Sequence, residues 1–260
     1  MIDHNTKKWL IHRLRSEGCV FPEEEAHLLI SEAKSIKELM DFVDKRASGF
    51  PLEYVLGFTT FCGLRIEIEP GVFIPRRRTE FLVQKAIEFI SSNDVVLDLC
   101  CGSGAVGAAI TNHVKKNSLH SVDIDPVAVR CASRNITMRG GHPYLGDLYK
   151  ALPHSLKGQV NLIVANAPYV PTDSVELLPR EARLYEPKMA LDGGKDGLDL
   201  HRKIAEEAKN WLVSGGHLLI ETSEMQSART SEIFAKAGFI TRMVRDEEWD
   251  ATIVIGTKSD

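Results

Sequence analysis

The sequence predicts an α/β fold: a mostly parallel, twisted sheet with helices on both faces, carried behind a small helical segment and a hairpin. Three observations predict it. Strand-like and helix-like stretches alternate from Val95 onward, the pattern of parallel strands joined by crossover helices. A glycine-bearing loop, Asp98-Leu99-Cys100-Cys101-Gly102-Ser103-Gly104, ends the first of those strands and opens a helix. The apolar run Leu162-Ile163-Val164 empties into Asn166-Ala167-Pro168-Tyr169, a buried strand followed by a proline turn. Ligands in open α/β sheets sit outside the carboxyl ends of strands, so a side chain on that turn faces a site.

Taken in order, the first part reads as short amphipathic helices. Leu10, Ile11 and Leu14 share a face. Pro22 followed by Glu23, Glu24 and Glu25 starts a helix with acids over the positive end of its dipole, and Ala26, Leu29, Ile30 and Ala33 line one side. Ser35 with Glu38 is a capping-box pattern, followed at helical spacing by Ile36, Leu39, Met40 and Val43. Helices this short must pack on one another or on a partner, as a stabilising bundle or as a substrate-docking module. From Phe50 to Pro75, prolines and glycines punctuate the chain, and Leu64, Ile66 and Ile68 alternate with charged residues as in a half-exposed strand. The division expected is a helical domain over 1–58, a β-hairpin linker over 59–70 and the main domain over 71–260. Pro75 and Arg76-Arg77-Arg78 precede a helix from Thr79 whose Leu82, Val83, Ala86, Ile87 and Ile90 face inward. The arginine run reads equally as a solvated turn and as a contact for an acidic protein surface or RNA.

Beyond it come strand Val95 to Leu99, helix Ala105 to Val114, strand Ser121 to Ile124 and helix Pro126 to Met138. A third strand precedes Gly146-Asp147-Leu148, and a fourth covers Asn161 to Ala165. After a long loop follow a helix around Leu198 to Leu212, strand His217 to Glu221, a helix around Met225 to Ala237 and two terminal strands, the last Thr252 to Ile255.

With 260 residues, 43% of them apolar or aromatic, and a mean hydropathy of -0.12, the chain can bury a core. A net charge of -4 argues against affinity drawn mainly from broad phosphate neutralisation, while leaving room for a local basic patch. Met1 to Val20 lacks the apolar core of a signal peptide and no run suits a bilayer, so the expected location is cytoplasmic, without membrane partners. Cys19, Cys62, Cys100, Cys101 and Cys131 show no metal-ligand spacing and suit a reduced compartment; no metal is expected.

Gly102-x-Gly104-x-x-Gly107 matches a dinucleotide fingerprint, with Asp123 near the spacing of a ribose-binding acid. Asp98, however, puts an anion beside the loop, where it would repel a pyrophosphate and complement an ammonium, and no hydride-transfer arrangement follows downstream. S-adenosylmethionine fits better, having an amino group for Asp98, a ribose diol for Asp123 and no phosphate. Asp147 either accepts from the adenine amine or is a plain turn residue. On the second loop, an amide, a proline and an aromatic suit holding a flat polar group beside a methyl donor.

These residues together resemble the protein-(glutamine-N5) methyltransferases that modify the Gly-Gly-Gln loop of peptide-chain release factors, the HemK/PrmC family. The likeness runs from about Pro51 to Glu221: Pro51-Leu52-Glu53-Tyr54-Val55-Leu56-Gly57, Pro70-Gly71-Val72-Phe73-Ile74-Pro75-Arg76 with Thr79-Glu80, and the Asp98 to Gly104 loop. Asn166-Ala167-Pro168-Tyr169, Glu186-Pro187 and Ala190-Leu191-Asp192-Gly193-Gly194 through Asp196-Gly197-Leu198 complete it. The resemblance implies a helical domain, a hairpin and a class I, Rossmann-like methyltransferase domain. It also implies a cofactor pocket lined by Cys100, Cys101, Gly102, Ser103 and Gly104 with Asp123 and Leu148. Asn166 and the residue 167 carbonyl would accept from the substrate amide, and Tyr169 would pack against it. Three departures stand out: Ala167 for the family's proline, Cys100 for a glycine, and Arg77-Arg78 for a proline and an acid. The expected reaction is methyl transfer to a protein glutamine, in a release factor or another glutamine-bearing protein. The rivals are a DNA or rRNA amino-methyltransferase, for which the charge balance is poor, and a non-catalytic cofactor-binding module.

Overall fold

The computed structural model describes residues 3–259. Its first three helices are α1 (His4–Ser16), α2 (Pro22–Glu32) and α3 (Ile36–Ala47). Asp3 caps α1, accepting from the N–H groups of Asn5 and Thr6, and Ser35 caps α3 by accepting from Glu38 N–H at 3.1 Å. The return arm of that box differs from the expected one: Glu38 accepts from Lys34 N–H at 2.6 Å. Leu10, Leu14, Ala26, Leu29, Leu39 and Val43 form a small core of their own, joined by Val55. Arg46 of α3 is nearly buried; it pairs with Glu25 at 2.6 Å and with Glu181 at 2.8 Å, tying the helices to the main body.

A one-turn helix, α4 (Leu52–Leu56), ends at Gly57 in the left-handed region and leads into the hairpin β1 (Phe58–Phe61) and β2 (Leu64–Glu67). A 3-10 turn over Arg77–Thr79 then starts α5 (Glu80–Ile87), one residue later than the sequence indicates. There follow β3 (Val95–Leu99), α6 (Ala105–His113), β4 (Ser118–Asp123), α7 (Pro126–Ile136), β5 (His142–Leu145) and β6 (Val160–Ala165). The chain closes with α8 (Arg180–Tyr185), α9 (Asp199–Trp211), β7 (Leu212–Thr222), α10 (Glu224–Lys236), β8 (Phe239–Asp246) and β9 (Ala251–Lys258).

The sheet order is β5-β4-β3-β6-β7-β9-β8, parallel from β5 to β7, with β9 antiparallel to both its neighbours. Alternate residues feed two cores. Val96, Leu162, Val164 and Leu219 face α5 and α6, while Leu97, Leu99, Ile163 and Ile220 face Trp211 and Phe234. Two differences from the sequence reading have local causes. Strand β7 begins at Leu212 because the Ser214-Gly215-Gly216 stretch is absorbed as an irregularity in its pairing with β6. Helix α8 lies inside the stretch read as a loop; it is only six residues long, between Pro179 and Glu186, too short to show helical periodicity.

The chain winds outward from β3 toward β5 on one side and from β6 toward β7 on the other. The order therefore reverses between β3 and β6, whose register pairs Asp98 with Val164 and Leu99 with Ala165. Such a reversal opens a crevice at the carboxyl ends of the strands. The two loops singled out in the sequence leave the sheet side by side there.

Candidate active site

A cavity of about 650 Å³ occupies that crevice. Of the residues expected at a cofactor, Asp98, Cys100, Cys101, Gly102, Ser103, Asp123, Asp147, Leu148 and Asn166 line it. Gly104 stands behind the wall: a Cβ there would meet Ile136 Cγ2 at 2.9 Å and Ala132 Cβ at 3.1 Å, so the residue lets α7 pack against the loop. Asn166, Ala167, Pro168 and Tyr169 all line the same cavity from the opposite side of the crevice.

The acids at one end are shaped by the backbone around them. Asp98 is 1% exposed and accepts from Gly107 N–H at 3.0 Å, which pins the first turns of α6 to β3. Burial pushes its carboxyl up to about 7, the Gly107 N–H opposing and Asp123 reinforcing the shift. Asp123 accepts from Gly102 N–H at 2.8 Å and from Asp125 N–H at 3.0 Å, and burial raises its carboxyl too. Asp147, at the cavity edge, pairs with Lys150 at 2.7 Å. Three non-glycine residues lining the cavity are held in the left-handed region, Cys100 at φ 57, Leu148 at φ 47 and Asp250 at φ 46. Strain of this kind persists where surrounding structure fixes a backbone, and binding sites are where it gathers. The thiols of half-buried Cys100 and buried Cys101, beside Asp123 and Asp98, are pushed well up and stay neutral.

The other loop is held from behind. Val170 N–H donates to Leu191 O at 3.1 Å, Gly193 N–H to Val170 O at 2.8 Å, and Gln226 Nε2 to Tyr169 O at 2.9 Å. The 191–197 stretch thus runs along the back of this loop. On its front, Asn166 Nδ2 donates to Thr79 Oγ1 at 3.1 Å, leaving the side-chain oxygen as the free acceptor. Tyr169 OH accepts from Arg78 Nη2 at 2.7 Å and reaches Glu221 Oε1 at 3.5 Å. Arg76 pairs with Glu186 at 2.6 Å, and Glu186 also accepts from Ile74 N–H, fixing the 71–76 segment over the cavity. Arg76 and Arg78 are therefore tied into the site, although Arg78, like Arg77, is exposed.

Sequence reasoning gave no role to Thr79 or Glu221. The available signal was a buried acid at a strand end, Glu221 being 2% exposed. It also missed Trp249 and Asp250 on the β8–β9 turn, which reach the same cavity.

The chemistry of the donor set matches a cofactor with a cationic and a diol end. A buried acid, a half-buried one and left-handed backbone around a glycine loop suit an ammonium and a ribose, and they repel a pyrophosphate. An amide oxygen faces the same space from across the crevice.

Comparison with known proteins agrees with this geometry. Residues 63–180 match the family model described as methyltransferase small domain. A release factor glutamine methyltransferase from Geobacter sulfurreducens is 38% identical over 76% of this chain and 69% of its own. One from Thermodesulfovibrio yellowstonii is 30% identical over 91% of this chain and 86% of its own. Among solved structures, a methyltransferase from Pyrococcus furiosus is similar in fold, with a TM-score of 0.58 at 19% identity, covering 76% of this chain and 90% of its own.

Proposed function

The chain belongs to the release factor glutamine methyltransferase family, and from that premise we propose how its residues carry out glutamine N-methylation. The enzyme is an S-adenosylmethionine-dependent protein methyltransferase, and its substrate is the glutamine amide of the Gly-Gly-Gln loop of a peptide-chain release factor. Asp98 takes the cofactor's ammonium, Asp123 its ribose hydroxyls and Asp147 the adenine amine, against the backbone of 100–104 and Leu148. The cofactor supplies an electrophilic methyl on a sulfonium.

An amide nitrogen is a poor nucleophile because its lone pair is delocalised into the carbonyl. The Asn166 side-chain oxygen and the Ala167 carbonyl accept its two hydrogens, turn the nitrogen toward the methyl and stabilise the positive charge that develops on it. Positioning of this kind supplies roughly 7–11 kcal/mol in favourable cases. No strong base is required, since the methylated amide loses its proton to water. Pro168 stiffens the loop and Tyr169 packs on the substrate amide. With alanine at 167 the carbonyl is kept and only a fixed φ is lost.

The observation that carries this reading is the orientation of Asn166: its NH2 is engaged by Thr79, so an acceptor oxygen faces the cavity shared with the acidic glycine loop. A nucleic-acid substrate is disfavoured by the net charge of -4. The same reading divides the chain into a helical domain over 1–58, a hairpin over 59–70 and a catalytic domain over 71–260. Among the described residues no helix is long and apolar enough to cross a membrane, and a cytoplasmic location suits a translation factor as substrate. Incubating the protein with methyl-labelled cofactor and either a release factor or deproteinised rRNA tests it. The label should appear on the release factor, and mass mapping should place it on the glutamine; label on RNA alone refutes the reading.

A further inference from the structure

The strand order divides the cavity between cofactor and acceptor. The loop after β3, Asp123 at the end of β4 and Asp147 after β5 stand on one side of the order reversal, and Asn166 at the end of β6 stands on the other. Beyond β6 come β7 and then β9, which runs antiparallel to β7 and pairs Thr252 with Thr222 and Ile253 with Glu221. The start of β9 is therefore level with the carboxyl end of β7, and the β8–β9 turn rises from the same edge as the two site loops. Trp249 and Asp250 of that turn line the cavity. In strand order they stand two strands from Asn166 and three from the glycine loop, on the acceptor's side.

The turn is held in shape by its own contacts. Asp246 and Ala251 close the β8–β9 ladder, Trp249 N–H donates to Asp246 Oδ1 at 3.0 Å, and Asp250 sits at φ 46. Trp249 is half-buried: it packs on the core cluster that contains Phe81, Leu82, Ala251 and Ile253 while also lining the cavity. An indole seated in this way offers a flat apolar face and loses little conformational freedom on binding. Neighbouring strands lie about 4.8 Å apart, so two strands put the turn about 10 Å from the Asn166 end of β6. An extended chain covers roughly 3.3–3.6 Å per residue, so residues two or three positions from a glutamine held at Asn166 reach this wall.

Glycine suits such a wall. With no Cβ, the peptide planes of a Gly-Gly step are bare and lie flat on an aromatic face. Successive side chains of an extended stretch point to opposite sides, so of two alanines in their place one faces the wall and holds the backbone off it. We propose that Trp249 is a specificity-determining residue: the two glycines before the acceptor glutamine pack on its indole, which selects a glutamine preceded by glycine over one preceded by residues with side chains. The inference rests on the Gly-Gly-Gln reading given above and adds the residue that recognises the glycines.

The test follows steady-state methylation of two release factors, one with its Gly-Gly-Gln loop and one altered there to Ala-Ala-Gln, by the unaltered protein, Trp249→Ala and Trp249→Phe. Cofactor affinity is measured beside it by calorimetry. Trp249→Ala should raise KM for the Gly-Gly-Gln protein by about tenfold, the scale of a truncated interface tryptophan, with kcat and cofactor Kd within about twofold. Trp249→Phe, which keeps a ring, should recover most of the lost KM. The unaltered protein should favour Gly-Gly-Gln over Ala-Ala-Gln by about tenfold or more in kcat/KM, and Trp249→Ala should shrink that ratio to within about threefold. Trp249→Leu, apolar but without a flat ring, serves the same comparison if the alanine variant does not fold. The proposal is overturned if the unaltered protein does not discriminate, if the ratio survives loss of the indole, if Phe fails to rescue, or if kcat or cofactor affinity falls as far as KM rises. Methylation of neither release factor by the unaltered protein would instead sink the functional reading itself, so the two failures are distinguishable.

Discussion

Asn166 is half-buried at the end of β6, with Ala167 and Pro168 buried beside it, so the side chain has one open direction, the cavity. Its NH2 is engaged at 3.1 Å by Thr79, and what remains to face a substrate is a single oxygen. Replacing it by alanine removes that oxygen without touching the glycine loop. Asn166→Ala should therefore cut kcat by roughly a hundredfold or more, the scale of one preorganised polar contact, while cofactor affinity weakens far less. Steady-state rates beside calorimetric titration separate the two effects. Wild-type turnover in the variant removes Asn166 from the chemistry. The residue was legible in the sequence because an amide, a proline and an aromatic follow a buried strand directly. Thr79 and Glu221 were not, because their link to the loop spans 87 and 52 positions and exists only after the sheet has formed.

At the scale of elements, the 166–170 loop has no regular structure of its own and borrows its shape from the 191–197 stretch and α10. The contact leaves no room for a side chain. Gly197 is held at φ 76, and a Cβ there would lie 2.2 Å from Tyr169 O and 2.4 Å from Gln226 Nε2. Gly197→Ala should push the 168–170 backbone into the cavity and break the Gln226 bond to Tyr169 O. Beyond the strain of alanine at positive φ, worth more than about 1 kcal/mol, the expected outcome is a lowered melting temperature and a kcat loss larger than any change in cofactor Kd. Equal losses in kcat and Kd would show that the loop and the cofactor wall move together. The glycines of this stretch were visible in the sequence, but whether they cover the site or turn at the surface was not. Periodicity reads elements, and this stretch has none. The same limit explains α8, which is shorter than two helical turns, and why β5 was read only as a strand before Gly146 without bounds, its His142-Pro143-Tyr144-Leu145 sequence carrying a proline that the edge of the sheet tolerates. By contrast, β3 and β6 were plain, being apolar runs covered on both faces.

For the molecule as a whole, the site imposes a cost that the cofactor should relieve. Asp98 is buried with its carboxyl near 7 against an ordinary 3.8, and Asp123, Glu186 and Glu221 are raised by burial in the same direction. The folded chain thus holds protons that the unfolded chain has released. Stability from these groups is complete below their unfolded values and falls as pH rises through the folded ones, which for Asp98 means from 3.8 to about 7. A bound ammonium beside Asp98 favours the charged carboxylate and removes its share of that loss. Binding to the folded state alone adds about 2.7 kcal/mol at a hundredfold excess over Kd. The melting-temperature gain from a fixed excess of S-adenosylmethionine should then increase with pH between roughly 5.5 and 7.5, where an α-amino group is still protonated. Asp98→Asn should flatten that increase, and NAD should give no gain at any pH. A gain independent of pH in the unaltered protein would mean that Asp98 does not meet the ammonium, and its burial would then be explained by the Gly107 N–H that it holds at 3.0 Å.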